Sequence, residues 1–128
     1  NKILVEVSVG ELLDKISILE IKKEKIKDTD KLKFINDEYN ILNDQFKKSV
    51  KIDDKLNQLF KSLKEINAKL WIIEDEKRMY EKNSDFSEKF IKVSRDIHFF
   101  NDDRAKIKLE INNHTGSKIK EIKEYTSY

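Results

Sequence analysis

Arg104 stands in a run whose other members are apolar at helical spacing: Phe86, Phe90, Val93, Ile97, Phe100, Ile107 and Ile111. Steps of three and four lay one side of a helix against a core, so a guanidinium is placed where an aliphatic group belongs. Asn101 and Lys108 lie beside it on the same side. Two other runs carry polar groups in comparable places. Glu20 and Lys23 fall inside the stripe of Leu13, Ile16, Leu19 and Ile26, and Phe60, Asn67 and Glu74 recur every seventh residue, with Arg78 one turn beyond. An unpaired charge in a protein interior costs several kcal/mol, so Arg104 needs a carboxylate. Counting the rise along side-by-side helices puts Glu20, Asn67, Asn101 and Arg104 at similar heights, with Glu74 and Arg78 further along. The expected ion pair is Glu20 with Arg104.

Two kinds of chemistry suit such a set. One is a structural polar layer that fixes which helices pair and in what register. The other is an anion pocket in which Arg104, Lys108, Lys23 or Arg78 holds a carboxylate or phosphate while Asn67 and Asn101 orient it. Its catalytic form would borrow from all-helical chorismate mutases, which hold a dicarboxylate with cationic and amide side chains and need no covalent residue. Against that form, the chain has only the arginines Arg78, Arg95 and Arg104, and its first helical segment offers Lys15 and Lys23 instead.

Other chemistry lacks its residues. The chain has no cysteine, which removes disulfides, thiolate zinc sites and cysteine nucleophiles. His98 and His114 point to different sides of one helix, and the acids Glu74-Asp75-Glu76 and Asp102-Asp103 come without Glu-x-x-His units, so no metal is expected. Ser17 and Ser94 have no histidine near them along their helices, and no glycine-rich phosphate loop or nucleophile elbow occurs. No cofactor is expected. A formal charge of +2 with acids and bases interspersed argues against a nucleic-acid face. No apolar stretch approaches the roughly 20 residues that cross a bilayer, and the reading is of a cytoplasmic protein.

The elements that hold these residues follow from punctuation. The chain lacks proline, and its two glycines, Gly10 and Gly116, fall near helix ends. Residues 1–7 are β-prone and read as a short extended segment. Ser8 and Glu11 have capping-box spacing, starting a helix that runs to about Lys27. Asp28-Thr29-Asp30 opens a second, with Leu32, Ile35, Tyr39, Leu42 and Phe46 inward. Asp53-Asp54 opens a third, with a seam from Leu56 to Tyr80. Asn83-Ser84-Asp85 breaks the chain before the fourth, which stops at Thr115-Gly116. Residues 117–128 form a tail in which Ile119, Ile122 and Tyr125 have the spacing of a helical turn. The fold class is therefore all-α: one domain over residues 1–128, an antiparallel up-down bundle of about four helices, two shorter and two longer. The longer pair, about 40 Å against about 30 Å, leaves an overhang near Trp71, Ile72, Met79 and Phe99. A homodimer is the simplest cover for it.

The stretch Val5-Glu6-Val7-Ser8-x-Gly10-Glu11-Leu12-Leu13-Asp14-Lys15-Ile16-x-Ile18-Leu19-Glu20-Ile21-Lys22 resembles the opening of a bacterial and phage family catalogued only as a domain of unknown function. Leu70-Trp71-x-Ile73-Glu74-Asp75-x-x-Arg78, Asn101-Asp102-x-Arg104-Ala105-x-x-Lys108-x-x-Ile111-Asn112 and Glu121-x-Lys123-x-Tyr125 resemble its later motifs. The resemblance implies a cytoplasmic protein, associated in some relatives with surface-polysaccharide or glycosyltransferase functions. Its motifs include Glu20, Glu74, Asn101, Arg104 and Lys108.

The leading expectation is a non-enzymatic interaction or accessory protein that meets a protein partner. The alternative is a small-anion-binding bundle, and the third class is polyanion binding by lysine-rich faces, which would weaken steeply with salt.

Overall fold

The computed structural model of the chain describes residues 1–120, 122–124, 126 and 127, so the expected positions Glu121 and Tyr125 lie outside the described residues. Four helices make an all-α bundle: α1 (Val9–Lys25), α2 (Thr29–Ser49), α3 (Asp54–Lys82) and α4 (Glu88–Thr115). Most of their ends are set by local hydrogen bonds. Ser8 Oγ accepts the Glu11 N–H at 3.0 Å, Asp28 accepts from Asp30 and Lys31, and Asp53 accepts the Leu56 N–H at 2.8 Å, each closing an open amide of a first helical turn. Gly116 ends α4 at φ 66°, the left-handed cap that glycine takes without a β-carbon clash.

Phe86, expected within the fourth seam, precedes the helix. Ser84 turns the chain at φ 51° and Asp85 accepts the Ser87 N–H, so Phe86 instead packs edge-on against Phe90, ring centroids 5.3 Å apart. Residues 1–7 carry neither helix nor strand. Ile3, Leu4 and Val5 are exposed and cover nothing. Among the described residues of the tail there is no helical turn.

α1 and α2 form one antiparallel hairpin, α3 and α4 the other, and α1 is the element that joins them. It packs against all three remaining helices, whereas α2 packs closely against α1 alone. Two stripes of α1 are buried: Leu12, Leu13, Ile16 and Leu19, and beside them Gly10, Asp14, Ser17 and Ile21. Leu12, Leu13 and Ile16 of the first stripe build the apolar core with Leu56, Leu59, Leu63 and Ile111, against which Tyr39, Leu42, Phe46 and Val50 close from α2 and its C-cap.

α1 crosses α3 obliquely. Asp14 and Ser17 both meet Asn67, yet Glu20 and Glu24, further along α1, reach back to Lys64. From Asp14 to Glu24 α1 rises about 15 Å while its partner on α3 retreats by about 5 Å. Lengths of 29 and 28 residues against 17 and 21 leave the α3–α4 hairpin standing beyond the other by more than two turns. Along that distal part Ile72 (49% exposed), Met79 (48%), Phe86 (56%), Ile91 (54%) and Phe99 (43%) face solvent. No helix among the described residues is long and apolar enough to cross a membrane.

Candidate functional site

The polar layer is centred on Asp14, a residue of the second α1 stripe that is 1% exposed. Gly10 makes this position reachable. A β-carbon there would stand 2.6 Å from the Lys108 carbonyl oxygen, so only glycine lets α1 lie this close to α4. Its N–H donates to Asn112 Oδ1 at 2.7 Å, and that of Val9 to Ser117 Oγ at 3.3 Å. With Ser8 capping Glu11, the first three amides of α1 all have acceptors.

Four residues further on, Asp14 Oδ1 accepts from Arg104 Nε and from Asn67 Nδ2, both at 2.9 Å, while Oδ2 takes Arg104 Nη2. This is the two-pronged guanidinium–carboxylate pairing that a planar fork favours. Lys108 Nζ lies 4.0 Å from Oδ2 and donates to Glu11 Oε2 at 2.7 Å. Asn67 also donates to Ser17 Oγ, whose own proton goes to the Asp14 carbonyl, and Arg104 Nη1 reaches Asn101 Oδ1 at 3.4 Å.

Burial pushes the Asp14 carboxyl up, but hydrogen bonds from Arg104 and Asn67, with the charges of Arg104 and Lys108, more than offset it. The group ionises below the ordinary 3.8. Asp14 in turn holds Arg104 more firmly as a cation, with Glu11 and Glu74 adding to the field.

Of the residues singled out from the sequence, the fold gathers Asn67, Asn101, Arg104 and Lys108. The expected Glu20–Arg104 pair does not form. Oblique crossing brings Asp14 rather than Glu20 to Asn67 and Arg104, and Glu20 stands about 9 Å of helix rise further along α1. Glu20 pairs instead with Lys64 at 3.2 Å and accepts from Tyr39 Oη at 3.3 Å, and the Lys23 ammonium sits 4.1 Å above the Tyr39 ring. Glu74 and Arg78 are exposed, Glu74 close enough to act on Arg104. Asp14, Ser17, Glu11 and Asn112 were not expected. For Asp14 and Ser17 the signal is the small and polar row Gly10, Asp14, Ser17, which continues to the apolar Ile21 and so marks a second buried side of α1.

A family model described as a family of unknown function (DUF6165) matches residues 3–128. The chain belongs to that family. Comparison with curated proteins and with solved structures finds no match. In this DUF6165 chain the side chains of the polar layer are bonded chiefly to one another. The Ser17 hydroxyl is engaged in both directions, both Asp14 oxygens are taken, and no group of three or more potential metal ligands occurs among the described residues. Ser94 Oγ, on the distal part of α4, is buried with no hydrogen-bond partner among the described residues. A cavity of about 170 Å³ lies between α4 and the tail, lined by Ala105, Lys106, Lys108, Leu109, Asn112, Ile122 and Lys123.

Proposed function

We propose that the protein is a non-enzymatic docking or accessory protein, set in the cytoplasm of a bacterium or a phage-infected cell. α1, α2 and the base of α3–α4 form its rigid head, and the distal α3–α4 hairpin is its contact surface. One observation carries this reading: the hairpin outruns the helices that cover it and leaves large apolar side chains half exposed on α3, on α4 and at the tip. A two-helix hairpin has little interior of its own, so surface of this kind marks a contact face. The internal pairing of Arg104 with Asp14 supports it as well, since the donors an anion pocket would offer already hold a carboxylate of the chain.

A photocrosslinking side chain placed at Ile72 or Ile91, with exposed Lys47 on α2 as control, tests the reading in cells. Covalent adducts from the hairpin positions and few from the control are expected. Hairpin positions as silent as the control would overturn it.

A small-anion site keeps one observation in its favour, the cavity bordered by Lys106, Lys108 and Lys123. Titration with phosphate and with a dicarboxylate, followed by the backbone resonances of residues 105–112, tests it. Absence of saturable shifts removes it.

A further inference from the structure

Opposite the seam that joins α3 to α4, each helix of the distal hairpin turns a row of side chains outward. From the tip toward the base, the α3 row reads Lys82, Met79, then Glu76 and Asp75, then Ile72. The α4 row, read in the same direction, is Glu88, Ile91, then Lys92 and Arg95, then Phe99. Both rows alternate charge with apolar groups at nearly the same intervals, and at each charged step the signs are opposite. All these residues are exposed. Within one molecule the rows face away from each other and cannot meet.

We infer that they meet between molecules: the occupant of the α3 outer row is the α4 outer row of a second copy, tips aligned, with Met79 beside Ile91, Ile72 beside Phe99, and Asp75 and Glu76 against Lys92 and Arg95. This rests on the docking reading above and names the partner of that surface. Matching apolar pairs supply the association and the opposed charges set its register and direction. Lys92 already holds Asp96 at 2.6 Å within its own helix, and the Arg95 guanidinium lies 6.0 Å from the centre of the Phe99 ring, so cation and ring meet the neighbour together. Because the two rows differ, the contact is heterologous. Each end copy still presents one unused row, the α4 row at one end of the assembly and the α3 row at the other, so the assembly grows past two copies.

Two charge-reversed chains test this. One carries Asp75→Lys and Glu76→Lys, the other Lys92→Glu and Arg95→Glu; all four sites are exposed, and unchanged far-UV helicity checks folding. Sedimentation of the wild type from micromolar to millimolar concentration is expected to show mass rising beyond two copies. Either reversed chain alone should associate about tenfold more weakly or worse, because its two rows then carry like charge. An equimolar mixture of the two should recover association, as should all four reversals placed in one chain. A wild type that stays monomeric, a mass that stops at two copies, or mixtures that fail to recover would each overturn the pairing. Photocrosslinked adducts at Ile72 keep the readings apart: foreign adducts without self-adducts sink this inference and leave docking standing, whereas no adducts sink both.

Discussion

Asp14 and Arg104 form a two-pronged ion pair across the α1–α4 contact, the carboxylate deep in the bundle and the guanidinium at its edge. Removing one partner of such a pair strands the other, which costs more than replacing both with apolar groups. Arg104→Met alone is expected to lower stability by about 3 kcal/mol, the low end for a buried pair because the arginine side chain keeps contact with water. Asp14→Leu combined with Arg104→Met should be less destabilised than either single variant. Urea unfolding of the three variants decides, and additive losses would contradict the coupling.

The two glycines should respond to alanine for different reasons. At Gly10 a β-carbon meets the Lys108 carbonyl oxygen at 2.6 Å and Asn112 Oδ1 at 2.9 Å, one of them backbone, so α1 must withdraw from α4. Gly10→Ala is expected to cost about 2 kcal/mol, as overpacking does, despite the better helix propensity of alanine. At Gly116 nothing lies within 4 Å, and the loss, about 1 kcal/mol, comes from φ 66° alone. A thermally stabilised Gly10→Ala chain would mean that the helices do not approach this closely.

Acid should unfold the protein in a narrow range. Asp14 and Asp53 both ionise below the ordinary 3.8. Asp53 is lowered first by the Leu56 amide and then by His114 at 2.9 Å, and Asp14 is lowered by its partners in spite of burial. A carboxyl depressed in the folded state stabilises above its unfolded value and loses that contribution as pH falls through the folded one. The urea midpoint is therefore expected to hold from neutrality to about pH 4 and to drop below it. The drop should be shallower in Asp14→Asn. A midpoint insensitive to pH down to about 2 would contradict the assignment.

Hydrogen exchange should grade along the long hairpin. Amides from Leu59 to Leu70 lie over the buried core, whereas those from Glu76 to Lys82 and from Glu88 to Lys92 have almost no buried apolar neighbours. In dilute solution the distal amides are expected to exchange at least about a hundredfold faster, the ratio of local opening to wider unfolding. Uniform protection along α3 would show that the tip is not an uncovered extension.

Caps and breaks were legible because they act within a few residues: Ser8, Asp28, Asp53 and Gly116 each end a helix through local hydrogen bonds or a single backbone angle. The overhang was legible because it needs only helix lengths. Arg104 announced itself by interrupting an apolar period. Its partner did not, since apolar spacing along one helix carries no information about the angle at which another crosses it. Side-by-side helices select Glu20, while an oblique α1 selects Asp14. Burial of α1 on two sides hid the latter further, because an aspartate next to Leu13 reads as a surface residue until Gly10 and Ser17 are placed on its row.

The closure of the first turn of α1 by Asn112 and Ser117 bears on synthesis. Whenever α1 emerges from the ribosome, its starting turn and the cover that Ile111 gives Leu12, Leu13 and Ile16 must wait for the end of α4 and Ser117 to follow. The nascent polypeptide thus carries an oily helix without its full shelter from the emergence of α1 to that of Ser117, and chaperone demand should fall on α1 rather than on α4.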